Sequence, residues 1–168
     1  MSNRFLVEQF DLWREAGEDL VLATVIETDG STYSKAGRHL LINRQKQYAG
    51  LVGGGCLEGD LVLQAEEVLQ SGQPRTVSYD MRNDSDDLWG MGLGCRGMMR
   101  LLLQRVDAAG GWQPLQQLTD WMRGELPVVV SLVTAGNDPQ LPVGTLQQEN
   151  TEPGPTAAIA HEGQAEKL

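Results

Sequence analysis

Only two cysteines occur among the 168 residues, and each stands in a glycine-rich stretch. Cys56 lies in Gly53-Gly54-Gly55-Cys56-Leu57-Glu58-Gly59-Asp60, between an apolar run of strand character and an amphipathic run of helical character. Glycines there let the backbone turn sharply and aim several N–H groups at one point, and a helix N-terminus adds its dipole. Such a place suits an anion and favours the thiolate of a cysteine beside the N-cap. Tight packing around a small buried cysteine fits the same residues equally well. Glu58 and Asp60 complement the dipole but oppose a second anion. No Lys follows at P-loop spacing.

Cys95 closes a second stretch, Asp86-Asp87-Leu88-Trp89-Gly90-Met91-Gly92-Leu93-Gly94-Cys95-Arg96-Gly97. Gly92-x-Gly94-x-x-Gly97 matches the dinucleotide fingerprint by letter, yet the strand-like run Met98 to Val106 follows where that fingerprint needs a helix. The stretch is therefore read as a glycine loop carrying the second thiol beside Arg96. Inert cysteines more often sit inside apolar elements, so two thiols converging on one pocket is preferred over coincidence. A third stretch, Gly30-Ser31-Thr32-Tyr33-Ser34-Lys35-Ala36-Gly37-Arg38, offers hydroxyls, N–H groups and two cations after a strand end. Ser31, Lys35 and Arg38 could clamp a phosphate or a polar ring, although a solvated hairpin connection is the ordinary alternative.

Other chemistry is poorly supported. Asp84, Asp86 and Asp87 could hold a hard cation, but acidic loops are usually just solvated. A zinc site from Cys56, Cys95, His39 and His161 lacks any close ligand pair, so no metal ligands are assigned. No G-x-S-x-G marks a serine hydrolase.

These loops need elements to position them. Phe5, Leu6, Phe10, Trp13 and Ala16 recur at helical spacing, predicting a helix near 4–16 that stops at Gly17. Leu20 to Ile26 reads as a strand ending at the turn Asp29-Gly30-Ser31. His39–Asn43 and Gln47–Val52 read as a hairpin around Arg44-Gln45-Lys46. Leu57 to Leu69 reads as a helix, with Leu57, Leu61, Ala65 and Val68 in one stripe and Gly72 as the stop. Thr76–Tyr79, Met98–Val106, Pro127–Val133 and Val143–Leu146 read as strands, with a helix after Pro114 closed by Gly124. From Asp80 to Gly97 the chain is one long loop, of a length that is usually functional or disordered. The sum is an α/β or α+β domain, a mixed β-sheet flanked by helices, over residues 1–150. Residues 151–168 form a Pro/Gly-containing tail or linker.

Composition narrows the function classes. Lys and Arg number 13 against 23 Asp and Glu, a net charge of −10. Such a surface repels nucleic acid and anionic lipid. Hydrophobic residues make up 40%, and no run approaches the length of a membrane span. No signal peptide is apparent, so a cytoplasmic location with reduced thiols is expected.

Gly54-Gly55-Cys56-Leu57-Glu58, the Gly30-Ser31…Gly37-Arg38 loop and Asp87-Leu88-Trp89-Gly90-Met91-Gly92-Leu93-Gly94-Cys95 together resemble the XdhC/CoxI family. These are accessory proteins in the maturation of xanthine dehydrogenase and related molybdenum hydroxylases. The likeness runs from the first helix to about Val106, and more loosely to about 150. It implies binding of molybdenum cofactor (molybdopterin) as cargo, support of its sulfuration by a cysteine desulfurase, and insertion into the apo-enzyme. Homo-oligomerisation is a further option. Members commonly carry a second, Rossmann-like C-terminal domain, toward which the tail would lead. Where many relatives have Pro-Arg after Gly-Ser-x, this chain has Tyr33-Ser34-Lys35, and Arg96 replaces a glycine after Cys95.

Resemblance and residues together nominate Ser31, Lys35, Arg38, Gly53, Gly54, Gly55, Cys56, Glu58, Gly92, Gly94, Cys95 and Arg96 for the cofactor. A phosphate suits N–H-rich loops, and dithiolene sulfurs with a soft-ligand metal suit thiolates. A non-catalytic cofactor chaperone leads, because no general base is evident. The alternatives are a sulfur-transfer enzyme with Cys56 as nucleophile, and a purely structural interaction domain.

Overall fold

The computed structural model describes residues 3–82, 96–124 and 128–149. The order along the chain is α1 (Asn3–Glu15), β1 (Leu20–Gly30), β2 (His39–Asn43), β3 (Tyr48–Gly50), α2 (Glu58–Ser71), β4 (Arg75–Asp80), β5 (Gly97–Val106), α3 (Leu115–Arg123), β6 (Val130–Leu132) and β7 (Leu146–Gln148). Strands β3-β2-β1-β5-β4 make one sheet in that order, and β6 pairs with β7. Every pairing among the described strands is antiparallel. The expected class stands, a helix-flanked sheet in one domain, and its α+β form is the one realised. The sheet expected to be mixed is antiparallel among the described strands, because no helical crossover returns a strand parallel to its neighbour.

Side-chain alternation along β1 builds two cores at once. Val21, Ala23 and Val25 face α2, where Leu57, Leu61, Ala65 and Val68 of the expected stripe join Leu40, Ile42, Leu101 and Leu103. Leu20 and Leu22 face the other way, onto Leu6, Phe10 and Trp13 of α1 and Leu115 and Leu118 of α3. Further along that second face, Ile26 and Leu102 pack on Leu132. Each such Leu, Val or Phe contributes roughly 1.5–3 kcal/mol when fully removed from water. Sheet covered on both faces explains why β1 reads as a continuous apolar run rather than an alternating one.

Two elements depart from the sequence expectation. β1 runs on past the apolar letters to Gly30, into residues expected to turn, and this polar end stays paired with β5 through a register shift between Val25 and Glu27. The apolar letters Val143 to Leu146 are mostly turn: the Gly144 N–H donates to the Val133 carbonyl, and the Thr145 N–H to the Pro142 carbonyl. The strand there is Leu146–Gln148.

Antiparallel order decides where the loops fall. The C-terminal ends of β1, β3 and β4 and the N-terminal ends of β2 and β5 share one end of the sheet, since Gly30 pairs with Gly97, Asp80 with Met98, and Leu40 with Gly50. The β1–β2 connection, the glycine run before α2 and the segment entering β5 all emerge there.

Candidate functional site

The glycine run leaves β3 at Gly50 and enters α2 at Glu58. Leu57 is the N-cap residue and makes no side-chain cap; its own side chain is buried. Glu58, the first helical residue, is 1% exposed, and its carboxylate turns back to the loop that precedes the helix. Oε1 accepts from the N–H groups of Val52 and Gly53, both at 2.8 Å, and Oε2 accepts from Gly55 N–H at 2.8 Å. Three charge-assisted bonds at a helix N-terminus are worth far more than a neutral turn's contacts.

This corrects the anion reading of the run. Three of its N–H groups are already taken by the protein's own carboxylate, so they do not stand ready for an external phosphate. The Cys56 N–H turns back to the Gly53 carbonyl at 3.3 Å. Among the described residues no hydrogen bond takes up the Gly54 N–H. Gly54 has φ +68° and Gly55 φ +100°, a conformation that L side chains rarely adopt, and it lifts Gly54, Gly55 and Cys56 to the surface. Cys56 is a free, exposed thiol one residue before the N-cap. It is not the small buried cysteine of the packing alternative.

The β1–β2 connection meets this loop directly. Tyr33 lies on Gly54: a Cβ added to Gly54 would come within 2.9 Å of the ring's Cδ2 and 3.1 Å of its Cε2. Buried Ser34 donates its hydroxyl to the Leu51 carbonyl at 3.4 Å. Thr32 Oγ1 donates to the Ser34 carbonyl at 2.7 Å and accepts from Lys35 Nζ at 3.4 Å, so the loop is internally braced. Ser31, Lys35 and Arg38 are exposed on it. Behind Arg38, burial and that residue's positive charge push the His39 imidazole down to about 4, with Nδ1 3.0 Å from Thr24 Oγ1. His39 is thereby held neutral within the sheet.

Arg96 is exposed at the entry to β5, and its carbonyl lies 2.8 Å from where a Gly30 Cβ would be. It borders the Gly30–Ser31 turn. Gly92, Gly94 and Cys95, the second thiol of the expected two-thiol pocket among them, lie outside the described residues, as do Asp84, Asp86 and Asp87. At the same end Arg82 ties β4 to β1 across β5. It donates from Nε to Asp80 at 2.8 Å and from a terminal nitrogen to Asp29 at 2.7 Å. The hydrogen bonds from Arg82 push the Asp80 carboxyl down to about 2.

Sequence reasoning did not single out Tyr33 and did not show that Glu58 bonds to its own loop. A carboxylate on the first helical residue, within reach of the N–H groups that a glycine run exposes, is the signal for the latter. Nothing in the letters shows that Tyr33 reaches Gly54.

Chemically, the arrangement presents an exposed thiol on a loop held from beneath and an aromatic ring against that loop, with Lys35, Arg38 and Arg96 exposed at the same end of the sheet. A soft-ligand donor and cations at one end of a sheet suit a thiophilic, anionic small molecule. The described helices include none long and apolar enough to cross a membrane.

The model of the XdhC and CoxI family matches residues 13–80, a span that holds both the β1–β2 connection and the Cys56 loop. The chain is 35% identical over 96 residues to a probable xanthine dehydrogenase subunit of Bacillus subtilis, covering 57% of this chain and 29% of that one. It is 28% identical over 125 residues to the molybdenum cofactor insertion chaperone PaoD of Escherichia coli, covering 74% and 36%. Among solved structures, a xanthine dehydrogenase from Bacillus halodurans superposes with TM-score 0.61 at 37% identity, covering 77% of this chain and 37% of that chain. The chain thus spans about a third of the length of these relatives. The span that matches the XdhC and CoxI family model carries four of the five strands of the main sheet, the glycine run and the exposed cysteine, so the likeness to that family falls on the candidate site.

Proposed function

We propose that this chain binds molybdenum cofactor as cargo and serves its insertion into xanthine dehydrogenase-type molybdenum hydroxylases. The observation that carries the reading is the exposed thiol of Cys56, raised on a glycine loop that Glu58 clamps from below. Support comes also from the likeness to a molybdenum cofactor insertion chaperone over 74% of the chain. In this reading Cys56 meets the metal–dithiolene end of the cargo, where a thiolate is a natural soft partner. Lys35, Arg38, Ser31 and Arg96 meet the phosphate, and Gly92, Gly94 and Cys95 are further contacts for the cofactor. Gly53 and Gly55 serve by shape, and Glu58 positions the loop without touching the ligand.

Binding here must be tight enough to shield the cofactor and weak enough to release it. The cargo's partners in this reading are an apo molybdenum hydroxylase as recipient and a cysteine desulfurase as the source of the terminal sulfur. The test is transfer. Chain loaded with molybdenum cofactor is mixed with the apo form of a xanthine dehydrogenase-type enzyme, and recovered activity is followed against free cofactor. Faster or more complete recovery from the loaded chain supports the reading. Recovery no better than with free cofactor contradicts it.

A further inference from the structure

We infer that Tyr33 is a stacking platform for the flat heterocycle of the cargo, an inference that rests on the cofactor reading above. Three ring carbons along one side, Cγ, Cδ2 and Cε2, lie 2.9–3.3 Å from the position of a Gly54 Cβ. The ring is therefore seated on bare backbone, at a residue with no side chain to intervene, two positions from Cys56. Yet Tyr33 remains 57% exposed. Water thus reaches most of a side chain whose ring rests against the glycine loop.

A ring fixed by its neighbour has already lost much of the freedom that stacking would otherwise cost. The aminopyrimidinone ring of a pterin is planar and conjugated, and such rings stack on aromatic side chains in offset geometry. The cations of Lys35 and Arg38 stand on the same connection, so phosphate and heterocycle would be met by one short segment. Gly54 then has a second duty besides its backbone conformation: its missing Cβ is the seat of the ring. Tyr33 is in this sense a specificity residue, selecting a planar ring where Cys56 and the cations alone would accept any thiophilic anion.

The experiment is equilibrium binding of a fluorescent pterin monophosphate, followed by fluorescence anisotropy, to the wild-type chain and to Tyr33→Ala and Tyr33→Phe. Tyr33 is exposed, so both variants should fold, which thermal unfolding verifies. Stacking on an aromatic ring predicts roughly 5- to 100-fold weaker binding for Tyr33→Ala and near-wild-type binding for Tyr33→Phe. Equal binding by wild type and Tyr33→Ala overturns the platform while leaving the cofactor reading in place. Absence of binding by the wild type overturns both. A Tyr33→Ala chain that binds the pterin normally but transfers cofactor poorly assigns the ring to a protein partner, and overturns the inference too.

Discussion

At the scale of the residue, Glu58 does what the sequence assigned to a ligand. Its buried carboxylate neutralises the N–H groups of Val52, Gly53 and Gly55 and so fixes the height and direction of Cys56. Replacing Glu58 by Ala leaves three donors without that acceptor, of which those nearer the surface can be rehydrated. A loss of about 2–4 kcal/mol is expected, read as a lower midpoint in urea unfolding. Glu58→Gln keeps one acceptor oxygen but turns an amide donor toward N–H groups, and should recover only part of that loss. An exposed thiol on so rigid a loop should alkylate in the native state without unfolding. Mass spectrometry of briefly alkylated native protein should find the adduct on Cys56, and protection of Cys56 until denaturant is added would contradict its placement. The residues that carry this chemistry were legible as a cluster of unusual letters. Which anion fills the glycine loop was not, because a run of glycines states only that N–H groups converge.

Elements show the same division. The spans of α1 and α2 follow from their apolar stripes and from glycine stops, and Gly72 does end α2 in a left-handed conformation with its N–H on the Val68 carbonyl. The polar end of β1 and the exposed β7 lack a hydrophobic alternation, so only pairing defines them. Not all glycines in this sequence do the same work. A Cβ on Gly97 would stand 2.6 Å from the carbonyl oxygens of both Asp29 and Ser31, and 2.7 Å from Thr32 Cγ2. That is backbone against backbone at the point where β5 enters beside β1. Gly97→Ala should therefore cost several kcal/mol, on the order of 3 or more, or abolish soluble expression. Gly59, in the first turn of α2, has nothing within 4 Å of its Cβ position. Gly59→Ala should stabilise the chain, by about 0.5–1 kcal/mol, because alanine gives up less backbone entropy in a helix. Thermal or urea unfolding of the two variants side by side checks both signs, and similar effects would mean that the strand crossing is placed wrongly.

For the whole molecule, the antiparallel topology matters more than any single loop, since it delivers the β1–β2 connection, the Cys56 loop and the entry to β5 to one end of the sheet. Acid should loosen that end first. His39 is held near pKa 4 in the folded chain by burial and by Arg38, against 6.5 when free. Between those values the unfolded chain binds a proton that the folded chain refuses, so stability falls as pH drops from about 6.5 to 4. With a discount for its partial exposure, the loss is on the order of 2 kcal/mol. A chain with His39→Asn should show a flatter stability profile across that window. Asp80 works further down: its pairing with Arg82 stabilises above the free carboxyl range and is lost as pH falls toward 2.

The central claim is that the thiol-bearing loop at this end of the sheet is where molybdenum cofactor is held. Its most direct measurement is the molybdenum and molybdopterin retained by the chain after anaerobic loading and gel filtration, for wild type and for Cys56→Ser. The surface position of Cys56 should leave folding of the variant intact, which its urea midpoint verifies. Retention close to one cofactor per wild-type chain is expected, with binding at least about tenfold weaker in Cys56→Ser, the scale of one lost charged or soft-ligand contact. A wild-type chain that retains no cofactor, or a serine variant that retains it undiminished, would contradict the claim.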